Sequence, residues 1–430
     1  MSLFSSRIQP QQPAARMLRL WPLAVALGVG ALVLVSTKNA PKETLSPLAA
    51  LGRDIFNDTT LSASGQQSCA TCHQSAYGHA SARGIEAGGP DMQAMGQRNV
   101  PSLRYVSTRN ALSFDADGKA SGGFFWDGRA ASLQAQALQP FLNPLEMANP
   151  DAASVVQKLS RSSYAARFSE LNGTAIWQQP ERAFAAMADA LAAYQQEDTD
   201  FHRFDSRFDL VMQGRARFSA AEQRGWALFK DEEKGNCAAC HTAEPGADGK
   251  PPLFTDNSYD NLGVPRHPAL RRPQQAVDHD LGLCKNTSLP KDVPIATLCG
   301  AFKVPSLRNV AVRKAFFHNA AMTDLREVLA FYATRDTDPK RWYGKGPVFN
   351  DLPLKYQSNV NRSEVPYDRK PGEQPRLSEQ DIDDVLAFLQ TLTDADLADS
   401  VAKRRSATAA ANAVVRVDRL AASPRAANTP

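Results

Sequence analysis

The chain has 430 residues, of which 43% are hydrophobic and 22% charged, a composition typical of a globular protein with room for two or three compact domains. Its mean hydropathy of −0.38 excludes a polytopic membrane protein. The net charge of +4 comes from the two ends, because residues 1–36 hold three arginines and no acid, and residues 401–430 hold six basic residues and one acid. Residues 37–400 are therefore slightly acidic, which argues against a nucleic-acid interface.

Residues 1–44 are typical of an export segment. A polar, arginine-bearing stretch precedes an almost uninterrupted apolar run that ends at Val35, and this order is that of a secretory signal. The run is long for a cleaved signal, short for a membrane-spanning helix, and lacks a clean A-x-A cleavage site. We therefore expect a periplasmic protein, soluble or tethered, whose residues 1–44 are either a signal peptide or an inner-membrane anchor.

Four of the six cysteines form two matching motifs with the histidine that follows each pair. They are Cys69-Ala-Thr-Cys72-His73 and Cys237-Ala-Ala-Cys240-His241. This pattern is the signature of c-type haem attachment, in which two thiols on one helical turn bind the vinyl groups and the His ligates the iron. A zinc site made of both cysteine pairs is the alternative, but 164 residues separate the pairs, far more than the roughly 15–20 of a compact zinc ribbon. We predict two covalently attached haem c groups.

The rest of the sequence divides into two similar halves. Each half starts with a predicted helix that leads into its motif and ends with a predicted amphipathic helix. The opening helices are predicted over 48–56 and 219–229, and the closing helices over 182–195 and 378–392. Ser219, three positions before Glu222, is a capping-box pattern that supports the second opening helix.

This duplication predicts an all-α fold of two tandem cytochrome c-like domains, each with one haem and long irregular loops. We place the first domain at residues 45–205 and the second at residues 206–395. Residues 396–430 are rich in Ala and Arg without an apolar stripe, which is typical of a disordered tail. Two covalent haems imply electron transfer or redox catalysis.

Over residues 45–392 the chain resembles the bacterial di-haem cytochrome c peroxidase and MauG family. Six stretches carry the resemblance, in this order around the two haem motifs: Leu51-Gly52-Arg53-Asp54-Ile55-Phe56, Arg98-Asn99-Val100-Pro101-Ser102-Leu103, Phe125-Trp126-Asp127-Gly128-Arg129-Ala130, Asn143-Pro144-Leu145-Glu146-Met147, Phe302-Lys303-Val304-Pro305-Ser306-Leu307-Arg308-Asn309-Val310 and Phe316-Phe317-His318-Asn319. The resemblance implies that the first haem, on His73, reacts with hydrogen peroxide. It implies that the second haem, on His241, stores and relays an oxidising equivalent.

The same resemblance assigns three further residues. Trp126 matches the tryptophan that lies between the haems and couples them, whereas a large core side chain is its alternative role. Gln136 and Glu146 stand at the family spacing for the distal peroxide pocket. Cleavage of the O–O bond requires a proton to move between the two oxygens, so we expect Glu146 to act as acid and base and Gln136 to orient peroxide or water. An exposed surface Glu is the alternative for Glu146.

The first haem is expected to keep an open iron site. Peroxidases of the family carry a second His in the loop before the Arg-Asn pair, but residues 83–97 contain no His. His79 is the nearest His to this loop. It is either a residue of the pocket wall or loop, or a ligand of the iron. Met92 and Met95 either approach the haem or pack in their loop.

The sixth ligand of the second haem is expected to be Tyr332, which matches the MauG-type tyrosine fourteen positions after His318. Peroxidases of the family have a Met there. An oxygen ligand favours ferric over ferrous iron, so this haem should be hard to reduce. Alternatively, Tyr332 is only a buried side chain of a short helix. Met322 is the rival candidate for the sixth ligand.

Two smaller sites complete the expectations. Asn99 matches a family residue at a calcium site, whose other ligands are backbone carbonyls near Arg313 and Ala315, so one calcium ion is a candidate cofactor. Cys284 and Cys299 form either a disulfide or two free thiols. In an oxidising periplasm the disulfide would add about 3 kcal/mol of stability.

The function predicted from the sequence is a MauG-like, periplasmic di-haem oxidoreductase that uses hydrogen peroxide and oxidises an external electron donor or a protein residue. One alternative is an ordinary cytochrome c peroxidase supplied by a small cytochrome or cupredoxin. The other is a di-haem electron carrier without peroxide chemistry. The expected partners are therefore hydrogen peroxide and a small redox protein or protein substrate.

Overall fold

Eleven α-helices of the described residues build the fold. The computed structural model describes residues 44–107, 109–246, 249–270, 279–291 and 293–399. The helices are α1 Pro47–Asn57, α2 Cys69–Cys72, α3 Leu133–Leu142, α4 Ala152–Leu159, α5 Ala165–Asn172, α6 Pro180–Glu197, α7 Arg207–Met212, α8 Ala220–Lys230, α9 Leu325–Thr334, α10 Pro339–Tyr343 and α11 Glu379–Gln390. The four helices predicted from the sequence are all present, as α1, α6, α8 and α11.

Strands are short and pair only as two-stranded antiparallel ladders within the described ranges. Their bounds are β1 Ala87–Gly88, β2 Ala94–Met95, β3 Ser113–Phe114, β4 Ala120–Ser121, β5 Tyr259–Asp260 and β6 Phe302–Lys303. β1 pairs with β2, β3 with β4, and β5 with β6. The fold is therefore rich in helix and poor in sheet, as the sequence predicts.

The opening and closing helices of each half pack closely because a glycine permits it. A Cβ atom at Gly52 of α1 would lie 1.8 Å from the carbonyl oxygen of Ala190 in α6, and one at Gly225 of α8 would lie 1.9 Å from that of Asp384 in α11. Any larger side chain at either position would push the helices apart. A glycine thus allows the opening and closing helices to pack closely in both halves of the chain.

Two large hydrophobic cores surround these helix pairs. The buried residues of the first core lie between Leu51 and Phe201, and those of the second lie between Phe208 and Leu392. Polar caps fix the helix starts in the second core: Ser219 and Ser378 form the capping boxes of α8 and α11. Burial of the apolar faces is the main stabilising contribution.

Buried ion pairs tie distant parts of the chain together. Arg104 pairs with Asp394 at 2.8 Å and with Asp396 at 2.6 Å. Arg308 binds both carboxylate oxygens of Asp209, at 2.8 and 2.9 Å. Each arginine charge is balanced by a carboxylate, so removal of one partner would leave a buried charge.

The ends of the chain are only partly described. The predicted export segment lies outside the described residues, except Thr44. The predicted tail starts at 396, but Asp396 is paired with Arg104 and Leu397 is buried, so the folded part extends to these residues; 400–430 lie outside the described residues. Among the described helices, none combines the length and apolar character needed to cross a membrane.

Candidate haem sites

The first haem motif lines a cavity of about 770 Å³, within the usual size range of ligand pockets. Cys69 and Cys72 begin and end the one-turn helix α2, and with His73 they line the cavity wall. A capping box of Ser68 and Thr71 starts this turn. The two thiols are therefore presented on one turn next to the imidazole, as haem attachment requires.

His73 is oriented by a backbone carbonyl that the sequence analysis missed. Its Nδ1–H donates to the carbonyl oxygen of His79 at 3.1 Å, which leaves Nε2 free to serve as an iron ligand. Burial lowers the pKa of His73 to about 4, so the imidazole is neutral, the form that ligates iron.

The side chain of His79 takes no part in the cavity. It is buried, its ring centroid lies 4.3 Å from that of Phe201, and it is absent from the described residues that line the cavity. Burial lowers its pKa to about 3, helped by the nearby Arg104. His79 acts through its carbonyl group, which fits the alternative of a loop residue and not that of a pocket-wall residue or an iron ligand.

Gln136 and Glu146 both line the cavity of the first motif. Gln136 lies on α3, and Glu146 follows in the turn after that helix. The Nδ2 of Asn143 donates to Oε1 of Glu146 at 2.7 Å. Burial raises the pKa of Glu146, opposed by the charge of Arg129 and by the Asn143 hydrogen bond. A carboxyl group held in this way keeps its proton to a higher pH than an exposed Glu does.

The loop before Arg98 closes as a hairpin at the cavity edge. Strands β1 and β2 pair in it, and the backbone N–H of Gly96 donates to the carbonyl of Glu86 at 2.9 Å. Met95 lines the cavity and is half exposed, whereas Met92 is absent from its described lining. Glu86 also lines the cavity, with its carboxylate bound to the hydroxyl of Ser81. The sequence analysis missed this second carboxylate, because no motif marks it.

The second haem motif lines another cavity in the same manner. Cys237, Cys240 and His241 are all part of its wall. The Nδ1–H of His241 donates to the carbonyl oxygen of Phe254 at 3.0 Å, and burial lowers the pKa of this His. The histidines of both motifs thus share one arrangement, in which the ring Nδ1–H donates to a backbone carbonyl and the pKa of the ring is lowered.

The cysteine pairs fit haem attachment better than a shared zinc site. Each pair lines its own cavity, and zinc would require all four sulfurs at one point. Burial raises the pKa of each of the four thiols to about 12.

Tyr332 lines the second cavity together with His241. Burial raises the pKa of its phenol. Met322, the rival ligand, is buried in the second core, accepts a backbone hydrogen bond from Phe316 at 2.9 Å, and is absent from the described lining of this cavity. A second tyrosine, Tyr367, lines the cavity with its ring centroid 5.9 Å from that of Tyr332. The sequence did not point to Tyr367, because this residue lies outside the six stretches that resemble the family.

Trp126 lines both cavities. Its indole N–H donates to the carbonyl of Asn99 at 2.8 Å, and its own carbonyl accepts from the backbone N–H of Lys303 at 2.9 Å. Hydrogen bonds with both halves of the chain therefore hold Trp126 in place. Trp126 lies at the border between the two predicted haem sites.

Comparisons with known proteins agree with this geometry. A family model described as di-haem cytochrome c peroxidase matches residues 46–217. The methylamine utilization protein MauG of Paracoccus denitrificans (strain Pd 1222) is 38% identical over 365 residues, which cover 81% of this chain and 88% of that protein. The chain belongs to the di-haem cytochrome c peroxidase and MauG family.

Two further relatives support this membership. The crystal structure of the diheme peroxidase BthA from Burkholderia thailandensis E264 is 37% identical, has a TM-score of 0.77, and covers 83% of this chain and 88% of that one. The cytochrome-c peroxidase IdrP1 of Denitromonas iodatirespirans is 31% identical over 66% of this chain and 71% of that protein. As a member of the di-haem peroxidase and MauG family, the chain is an oxidoreductase that acts with peroxide, and the family implies haem c cofactors.

The calcium site expected from this family is only partly formed. Asn99 reaches the predicted segment, but its Nδ2 donates to the carbonyl oxygens of Ala315 at 3.1 Å and Phe317 at 3.0 Å. In this orientation the amide presents a donor to those oxygens, whereas calcium takes oxygen ligands. Asn99 would therefore have to turn its amide over to present Oδ1 to a calcium ion.

Cys284 and Cys299 form a disulfide, which decides between the two alternatives. The segment that it closes lies beside Trp126 and the first cavity. Asn286, within this segment, donates to the carbonyl of Asp127 at 3.2 Å, and Asp280, which precedes the segment, binds the Arg98 guanidinium at 2.6 and 2.7 Å. The disulfide thus restrains a loop that contacts the region between the cavities.

Proposed function

We propose that this protein is a periplasmic di-haem c-type oxidoreductase of the MauG-like branch, which reacts with hydrogen peroxide at the first haem and shares oxidising equivalents with the second. The observation that carries this proposal is the position of Trp126 in the wall of both cavities. An indole that borders both sites shortens the distance an electron must travel between them. We assign the first haem to residues 45–205 and the second to residues 206–395.

The proposed haem-binding residues follow the two motifs. Cys69, Cys72 and His73 would hold the first haem, and the corresponding residues of the second motif, Cys237, Cys240 and His241, would hold the second. When bound, the haems supply the redox-active iron at which peroxide is reduced. The carbonyl groups of His79 and Phe254 orient the two proximal imidazoles through their Nδ1–H groups and make them stronger electron donors.

Proton movement is assigned to the polar wall of the first cavity. Reduction of one peroxide to two waters consumes two electrons and two protons, so a group in the pocket must pass protons between the oxygens. The Glu146 carboxylate would take the first proton of peroxide and return it to the leaving oxygen. Gln136 would position peroxide through its amide. Asn143 holds the Glu146 side chain in place.

The electron source is proposed to be a small redox protein or an oxidisable protein side chain. Tyr332 supports the MauG-like branch over an ordinary peroxidase, because it lines the second cavity where Met322 does not. An oxygen ligand would hold the second haem in its oxidised state.

Electron paramagnetic resonance (EPR) of the purified protein tests this proposal. We expect a haem stoichiometry of two per chain, and one high-spin and one low-spin ferric signal that both disappear with stoichiometric peroxide. Loss of the high-spin signal alone would refute the sharing of equivalents. Two low-spin signals that ignore peroxide would indicate an electron carrier. Simultaneous replacement of Cys69 and Cys72 by Ala should lower the covalent haem content from two to one, by mass spectrometry.

A further inference from the structure

Tyr367 is a second phenol in the wall of the second cavity, beside the proposed ligand Tyr332. Only 6% of Tyr367 is exposed. The hydroxyls of these two residues make no hydrogen bond with each other or with another described residue. A buried Tyr hydroxyl usually has a partner. Three other buried tyrosines follow this rule, since Tyr105, Tyr164 and Tyr343 each donate to an oxygen at 2.6 Å.

Two contacts fix the position of the Tyr367 ring. Its centroid lies 4.3 Å from the guanidinium carbon of Arg335 and 5.9 Å from the ring centroid of Tyr332. Arg335 is itself buried, and its guanidinium donates to the carbonyl oxygen of Leu262 at 3.0 Å and to the carboxylate of Asp336 at 2.7 Å. A cation over the face of a Tyr ring is a stabilising arrangement. Tyr367 therefore meets Tyr332 from a rigid support.

The backbone before Tyr367 is anchored to the second haem motif. The Nδ2 of Asn236, the residue before Cys237, donates to the carbonyl oxygen of Val365 at 3.2 Å. The backbone N–H of Tyr367 donates to the carbonyl oxygen of Glu364 at 2.7 Å, which closes a turn. All four residues of this turn line the cavity. The hydroxyl of Tyr367 is thus held at the site where we propose the second haem.

Two carboxylates of the cavity wall, Asp260 and Glu364, are the competing acceptors for this hydroxyl. The Nδ2 of Asn361 donates to both, at 3.1 and 2.8 Å, whereas Tyr367 bonds to neither. Burial, reinforced by the neighbouring Tyr332, raises the pKa of Tyr367. Tyr367 therefore keeps its proton and is available as a hydrogen-bond donor inside the cavity.

We propose that Tyr367 is a positioning residue for the Tyr332 ligand: its ring packs beside that of Tyr332, and its hydroxyl donates a hydrogen bond to the Tyr332 oxygen when that oxygen binds the second haem. The inference rests on the proposed function, in which Tyr332 is the ligand. A phenolate is a charged acceptor, and hydrogen bonds to charged groups are stronger than neutral ones. Such a bond withdraws electron density from the oxygen, so the oxygen stabilises ferric iron less.

Tyr367→Phe tests the hydroxyl, because it keeps the ring. In a redox titration of the purified di-haem protein, the equilibrium of the second haem should shift at least tenfold toward the ferric form, a fall of about 59 mV for one electron. The low-spin EPR signal should remain. Tyr367→Leu removes the ring as well and should also weaken the low-spin signal, because Tyr332 loses a packing neighbour. An unchanged potential in the Phe variant, or an undiminished signal in the Leu variant, overturns the proposal.

A matched control removes the hydroxyl of another buried tyrosine. Tyr343 is outside the described lining of both cavities and donates to the carbonyl of Gly263 at 2.6 Å. Tyr343→Phe should leave the potential of the second haem unchanged, and an equal shift in this variant would overturn the proposal. The potential of the first haem, titrated in the same sample, is the internal reference. If Tyr367→Leu does not fold, Tyr367→Phe alone decides.

A double-mutant cycle identifies the acceptor. In a Tyr332→Phe background, Tyr367→Phe should not change the potential further, because the proposed acceptor is gone. A shift as large as in the wild-type background would mean that the hydroxyl acts on another group, such as Asp260, and would overturn the proposal.

The same variants separate this inference from the proposed function. Loss of the low-spin signal in Tyr367→Phe, with a retained signal in Tyr332→Phe, would make Tyr367 the ligand and overturn the proposal. A retained signal in both variants would refute the ligand assigned in the proposed function. Loss of the signal in Tyr332→Phe, together with an unchanged potential in Tyr367→Phe, would overturn this inference alone.

Discussion

Glu146 is the residue whose replacement tests the chemistry of the first cavity most directly. Glu146→Gln keeps the size of the side chain and an acceptor for the Asn143 amide, 2.7 Å away in the native protein, but removes the titrating proton. Positioned acid–base groups typically contribute about 10² to 10⁴ in rate. Because the hydrogen bond to Asn143 survives, we expect the geometry to persist and a loss of about 10²-fold or more, roughly 2.7 kcal/mol of transition-state stabilisation.

The pH dependence has a definite sign. Burial raises the pKa of Glu146 above its usual range, so the carboxylate that we propose as the acceptor of a proton from peroxide forms only as pH rises through this raised pKa. The wild-type rate should therefore increase with pH through that window, and the Gln variant should lose this dependence. The raised pKa also means that the ionised group costs stability above the unfolded-state pKa. At neutral pH the variant should therefore be at least as stable as wild type.

Stopped-flow measurement of peroxide consumption under excess peroxide gives the rate. Thermal unfolding, measured in parallel, gives the stability. Glu86→Gln is the matched control, since it removes a carboxylate from the same cavity without a proposed proton role. A wild-type rate in Glu146→Gln, or an equal loss in Glu86→Gln, would refute the assignment.

Three other changes have clear expected outcomes. Tyr332→Phe should remove the low-spin EPR signal of the second haem, whereas Met322→Leu should leave it; the reverse result would make Met322 the ligand. Trp126→Phe should slow the response of the second haem to peroxide at least tenfold in stopped-flow spectra while the first haem responds at the native rate, and equal rates would exclude the indole as the link. Simultaneous replacement of Cys284 and Cys299 by Ser should lower the free energy of unfolding by about 3 kcal/mol in denaturant titrations, and an unchanged value would show that the disulfide adds no stability.

Local sequence patterns predicted the helices well. The predicted range 48–56 became Pro47–Asn57, and 182–195 became Pro180–Glu197. These agreements follow from local physics, because apolar residues at helical spacing and a Ser cap act within a few turns. The ends of the helices differ from the prediction by one or two residues, because helix ends fray and their last residues are weakly defined.

Long-range contacts escaped prediction for an equally physical reason. The carbonyl of His79 faces His73, and that of Phe254 faces His241, but a carbonyl group is the same in every residue and leaves no sequence signal. Glu86 was missed for a related reason: its place in the first cavity depends on how the loop 83–97 folds back.

The sequence by itself determined the two cysteine–histidine motifs, the tandem helices and the family to which the chain is similar, because spacing along the chain is enough for these motifs and for amphipathic faces. Only the tertiary structure decided which groups share a cavity. It placed Trp126 in the wall of both cavities, kept His79 out of the first, and brought Tyr332 and His241 together in the second. The physical reason is that charge balance and hydrogen-bond partners depend on distances in space, which residues far apart in the chain set together.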